Sequence, residues 1–417
     1  MHNISQAITL VETGQHEKGL QMLKEILKTA DDETAYQIAE CYQDWGLIED
    51  AERIYERLLK TYPNDSHLLI QLAELNIDQD NEEKAIELLS KIHQLDENYL
   101  SAQLLLADLY QFQGLDEVAE KKLLDAYKIS PNEPVLSFAL GEFYLSVGEP
   151  SKAIPYYKQV LHAESLSHEN VALKLAEALS LNGQFEEALI YYQKGLEKEK
   201  TLDGLFGLGM TAYQTGKFQT AITALEELKE LDPQYSTLYP VLSQAYQQEG
   251  AEDEALAAIE EGIKVDEFNE RLYLKAGELA AGLSQWDKAA HYYNQSLKIN
   301  PDNIEALKHL IEIKYEQRDY EGIIHQLETE AIDDPTALWF MGKAYVQTEQ
   351  FEKALEVYEK ISSCFQDDPV FLGEYGELLW QSGDRKKALA NLRKAAAFDP
   401  DNQDLQAFVE RIEQDFY

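Results

Sequence analysis

A small residue returns along this chain at a nearly fixed interval. Ala51, Ala85, Ala119, Ala153, Ala188, Ala221, Ala255, Ala289, Ala354 and Ala388 mark a period of about 34 residues, with Gly19 and Ile323 filling the two remaining places. A period this long signals stacked supersecondary units, because one such unit cannot bury its apolar side alone. The 417 residues therefore read as one array, not as the two or three globular domains that length alone suggests.

With the recurring residue placed at position 20, each unit reads as helix A, a tight turn and helix B. Position 8 is small, as in Ala39, Ala73, Ala107, Gly141, Ala176, Gly209, Gly277, Gly342 and Gly376. Small side chains there let a second helix approach closely. Position 15 is Gly14, Gly46, Gly114, Gly148, Gly183, Gly216, Gly250 or Gly383, and glycine suits the left-handed residue that ends a helix. Four residues after the ruler residue comes a large apolar one, such as Tyr55, Leu89, Tyr157, Tyr192, Tyr293 or Tyr358. Pro63, Pro131, Pro233, Pro301 and Pro400 all fall at position 32 and stop helix B. Pro155 and Pro240 are expected in the first turns of helices, where a missing N–H costs least. No stretch alternates with period two, so no sheet is expected.

These residues carry a resemblance. The runs Leu140, Gly141, Tyr144, Gly148, Ala153, Tyr157 and Gly342, Tyr345, Ala354, Tyr358 resemble the tetratricopeptide repeat (TPR), and the match extends over the whole chain as about twelve repeats. The resemblance implies an all-α, right-handed solenoid of helix-turn-helix units over residues 1–402. Residues 403–417 place Leu405, Phe408, Val409 and Ile412 at helical spacing, and read as a helix capping the last repeat. Repeat 10 departs from the pattern. Arg318 stands at position 15, Ile323 replaces the small residue, and the next interval shrinks to 31 residues before Asp333, Asp334 and Pro335. Residues 318–336 are read as a candidate joint.

Charge narrows the class of partner. Seventy-seven acids against 36 Lys+Arg give a net charge of −41. That opposes binding to nucleic acid or to an anionic membrane surface, and favours a basic or neutral partner. The start MHNISQAITL shows no basic segment followed by an apolar one, and no apolar run reaches the length of a membrane span. Cys41 and Cys364 sit far apart in the array and are expected to stay reduced, which together with these features suggests a cytoplasmic protein.

The resemblance also implies that helix A lines a concave face through positions 2, 5, 9, 12 and 13. Those positions hold fifteen acids and three bases, Arg271, Lys308 and Lys343. Position 9 alone carries Glu40, Glu74, Asp108, Glu142, Glu177, Glu278, Glu312 and Glu377, a row that would steer a Lys/Arg-bearing segment. Glutamate in this place is also simply a good helix former. Phe206, Met210 and Tyr213 interrupt the row as a candidate apolar anchor, with Trp339 and Trp380 as further candidates. An acidic groove would repel the acidic chaperone tails that some repeats of this kind grip through a basic clamp.

No phosphate-binding loop, no H-E-x-x-H and no C-x2-C pair occurs, and the nine histidines are scattered. The expected function is therefore a non-enzymatic scaffold or adaptor with no cofactor and no metal. It would bind a basic peptide segment or protein in the acidic groove. The rival reading is a peptide- or ligand-sensing switch that acts through superhelix pitch. Exposed end repeats offer a route to self-association.

Overall fold

The twelve turns at position 15 share one backbone state. In the computed structural model, which describes residues 4–330 and 332–416, the eight turn glycines have φ between 71° and 90°. Asp80, Ser284, Arg318 and Glu349 hold the same place in the other four repeats with φ between 56° and 61°. Each turn closes with a bond from the residue after it to position 11, as from Leu47 N to Tyr42 O at 2.8 Å. Repeat 10 makes the same bond, Asp319 N to Lys314 O at 2.8 Å, although it lacks the glycine. A left-handed conformation costs an L-residue about 1–2 kcal/mol, part of which glycine returns as unfolded-state entropy. Arg318→Gly and Glu349→Gly are each expected to stabilise the fold by roughly 0.5–1 kcal/mol. Urea denaturation checks this, and a loss of stability in both variants contradicts it.

Every regular element among the described residues is helical. Twelve A/B pairs run from Ile4–Glu12 with His16–Leu27 to Pro369–Ser382 with Arg385–Phe398, followed by a single helix Gln403–Phe416. This is the all-α, right-handed TPR solenoid with a capping helix. The cap buries Val409 and Ile412 against Leu392 and Ala396, and is tied by Gln406 Nε2 donating to Ala396 O at 2.9 Å.

The chain divides into two compact units, residues 1–211 and 212–417, and the boundary falls within helix A of repeat 7 (Leu202–Gln214). The stretch 318–336 lies inside the second unit, and Ala331 within it lies outside the described residues, as does Tyr417 at the end of the cap. The two helices of repeat 10 meet over a smaller area than those of the neighbouring repeats 9 and 11. Ile323 is completely buried there, in a core cluster with Leu307, Ile311 and Leu327.

Within a repeat, the core rests on one steric match. The tyrosine at position 24 lies flat on the small residue at position 8. A Cβ built on Gly141 would sit 2.6 Å from Tyr157, on Gly277 2.5 Å from Tyr293, and on Gly342 2.7 Å from Tyr358. These three tyrosines are almost wholly buried, as is Tyr55 at the same position of repeat 2.

One expectation is corrected. Pro240 is the third residue of Leu238–Gln248, within the first turn, but Pro155 is the sixth residue of Pro150–Val160. It removes a backbone bond in the second turn. Pro155 lies on the exposed side of the helix, where a carbonyl without its intrahelical partner is open to solvent.

Candidate functional site

Two cavities show which face of helix A is hollow. In the first unit a cavity of about 1140 Å³ is bounded by Ser5 and Ile8, by Gln37, Glu40 and Asp44, and by Gln71 and Glu74. These come from helix A of repeats 1, 2 and 3 (Ile4–Glu12, Asp32–Asp44, Ser66–Asp78). In the second unit a cavity of about 620 Å³ is bounded by Ala281, His309, Glu312, Glu316 and Phe340, together with Trp286 and Tyr293 from helix B of repeat 9 (Trp286–Ile299). Positions 6, 9 and 13 recur in both linings. Positions 9 and 13 are as expected; position 6 is not among the positions read from the sequence.

Position 6 changes the charge of the face. Lys174 stands there and pairs with Glu142 at 2.8 Å, while Tyr157 Oη donates to the other oxygen of the same carboxylate. Lys275 also stands there and pairs with Glu278 at 3.1 Å. Two of the eight row carboxylates are thus neutralised within the fold. Glu74 accepts from Gln71 Nε2 at 3.1 Å, and Glu312 lies 3.4 Å from His309 Nδ1. Glu40, Asp108 and Glu377 have no hydrogen bond or ion pair among the described residues, and all three are exposed.

These last three nevertheless feel the protein around them. Desolvation raises the pKa of Asp108; desolvation and then Asp44 raise that of Glu40; desolvation and then Glu374 raise that of Glu377. Glu74 is raised by desolvation and Asp78. Glu177 is raised by desolvation, with Glu142 and Asp203 adding to it and Lys174 opposing. An exposed carboxylate that is still desolvated lies in a hollow, reachable by water but walled by protein at longer range.

A folded-state pKa raised above the unfolded one favours the folded state below the ordinary carboxylate value, and that contribution is lost as pH rises through the raised value. Asp31 and Asp125 are lowered, by the hydrogen bond from Thr34 and by Lys128 respectively, and their contribution is lost only at still lower pH. The melting temperature is therefore expected to rise as pH is brought from about 8 to about 5, and to fall on further acidification. Thermal melts at fixed ionic strength test this; a flat or falling trend from 8 to 5 contradicts it.

The aromatic candidates are distributed differently. Phe206, Met210 and Tyr213 share one helix and are each half-buried, and Tyr213 packs on Phe218 with centroids 5.7 Å apart. Trp339 is held from several sides. Its Nε1 donates to Glu374 at 2.6 Å, Phe365 and Phe371 lie 5.0 and 5.4 Å away, and Lys343 Nζ sits 4.4 Å above its ring. Trp380 packs near the cap and under Arg385 at 5.3 Å. Trp286, not among the residues expected from the sequence, is half exposed in the cavity of the second unit. One described group could approach a cation: ligand-type atoms of Glu278, Glu305 and His309 lie within 4.8 Å of one another. Cys41 and Cys364 are both free thiols, and no described helix is long and apolar enough to cross a membrane.

Comparison with known proteins places this array. A family described as YpiA-like, tetratricopeptide repeats matches residues 111–165, and its C-terminal counterpart matches residues 335–402. The chain is 39% identical to the TPR repeat-containing protein YpiA of Bacillus subtilis (strain 168), over 99% of both chains. It belongs to the YpiA-like family of TPR proteins. More distant relatives share the repeat over part of their length. The TPR repeat-containing protein MJ1428 of Methanocaldococcus jannaschii is 23% identical over 62% of this chain and 49% of its own. Among solved structures, that of YrrB, described as a TPR protein with an unusual peptide-binding site, has a TM-score of 0.40 at 20% identity, covering 44% of this chain and 95% of YrrB. That of MamA has a TM-score of 0.37 at 24% identity, covering 40% of this chain and 97% of MamA. The YpiA-like chain is thus a TPR-fold repeat protein.

Proposed function

We propose that the protein is a non-catalytic scaffold that holds a net-basic segment of another protein along the helix A face. The observation that carries this is the state of Glu40, Asp108 and Glu377, three exposed carboxylates that have no counter-ion among the described residues and are desolvated by the fold. A charge kept in that state gains more from an incoming ammonium or guanidinium than a fully hydrated one does. The row's steering strength comes from these residues and Glu177, while Glu142 and Glu278 are largely spoken for by Lys174 and Lys275.

Capture from a cytosolic extract at low salt tests the reading. The wild type is run beside a variant carrying Glu40→Gln, Asp108→Asn and Glu377→Gln. Partners retained by the wild type, released by added salt and absent from the variant support it. Identical lists from both proteins overturn it.

A further inference from the structure

We infer that the 620 Å³ cavity of the second unit is an arginine-binding subsite of that face. The inference rests on the reading above and names the side chain the face selects.

The cavity has a structural origin. An aromatic residue opens helix B in several repeats, and in two of them it packs on a tyrosine at position 12. Phe218 meets Tyr213 at 5.7 Å, and Tyr320 meets Tyr315 at 5.4 Å. In repeat 9 the opening residue is Trp286, but position 12 is Ala281. The space a tyrosine fills elsewhere is left open beside the indole, and both residues line the cavity. Its volume falls within the range of about 300–1,000 Å³ usual for small-ligand pockets.

Its walls are flat rings and its rim is acidic. Tyr293 and His309 are stacked, with centroids 5.3 Å apart and planes inclined by 25°, and Phe340 and Trp286 complete the aromatic lining. Glu312 and Glu316 both line the cavity from one turn of the same helix. Like charges four residues apart on a helix repel, and a cation between them relieves that repulsion. No Lys or Arg is among the residues that line the cavity. A guanidinium suits this combination better than an ammonium, because it is planar, stacks on rings and offers several N–H groups to two carboxylates at once. An aliphatic side chain would leave Glu316 unanswered and Glu312 with only His309 beside it. The neighbouring rings already show the chemistry. Lys343 Nζ lies 5.4 Å from the Phe340 centroid and 4.4 Å from that of Trp339, with its charge met by Glu374 at 3.3 Å.

The test uses the full chain and four labelled lysine-rich nonapeptides that differ only in the central residue: arginine, lysine, citrulline or leucine. Affinities are read by fluorescence anisotropy at low salt, for the wild type and for Glu312→Gln/Glu316→Gln. The arginine peptide is expected to bind at least tenfold tighter than the citrulline peptide and several-fold tighter than the lysine peptide, with both ratios approaching one in the variant. Equal binding of the arginine and lysine peptides, or ratios that survive in the variant, overturns the subsite but leaves the basic-segment reading standing. Tightest binding of the leucine peptide makes the cavity an apolar anchor and also overturns it. Failure of all four peptides to bind at low salt removes both readings together.

Discussion

Tyr358→Ala is expected to cost about 3–5 kcal/mol, the range for removing a large aromatic side chain from a packed core. Tyr358 is buried against Gly342, which has no Cβ to close the gap. It stacks on Phe371 at 5.2 Å and Tyr375 at 5.9 Å, and its hydroxyl donates to Glu374 at 2.8 Å. Phe371 and Tyr375 belong to the next repeat, so the ring joins repeats 11 and 12 as well as the two helices of its own. In a stack held by neighbour contacts the loss should concentrate in the last repeats. Urea denaturation gives the total, and amide exchange over residues 335–398 gives the location. Tyr358→Phe, which keeps the ring and loses one hydrogen bond, is expected to cost only about 1 kcal/mol. A loss below 1 kcal/mol in the alanine variant would show that the repeat does not depend on this contact.

The second large effect is kinetic. Asp108→Lys with Glu177→Lys is expected to slow association of a basic partner by ten- to a hundredfold, and to flatten its dependence on ionic strength. Both side chains are exposed and neither makes a hydrogen bond or ion pair among the described residues, so the change acts through the field of the face and not through the fold. Glu142 is the poorer target although it stands in the same row, because its reversal would also strand Lys174 and Tyr157. Surface plasmon resonance at several salt concentrations reads the outcome. Unchanged association rates at every ionic strength would remove the steering role.

What could be read from the sequence is what each repeat decides by itself. The match of Tyr157 to Gly141, the left-handed residue at position 15 and the cap formed by Val409 and Ile412 are contacts within a repeat or with its immediate neighbour. They leave a periodic signature. Position 6 does not, because its exposure to the hollow depends on how successive repeats are rotated against one another. Lys174 pairs with a glutamate 32 residues earlier, and no single repeat contains that pair. Trp286 leaves no distinct mark in the sequence for a related reason. Its aromatic character is shared with Phe218 and Tyr320, and only the alanine at position 281 turns it from a packing residue into a cavity wall. Pro155 falls in the second turn because helix B of repeat 5 begins at Pro150.

The tie among Tyr157, Glu142 and Lys174 has a wider consequence. One carboxylate joins the buried hydroxyl of helix B, its own helix A and the first lysine of the following repeat. A cation that competes for that carboxylate on the outside would loosen the seam between repeats 5 and 6. A seam pulled apart would in turn hand the carboxylate to the cation. Thermodynamic linkage makes these two changes reciprocal. Tension across this seam and occupancy of the Glu142 carboxylate would then be coupled at this place.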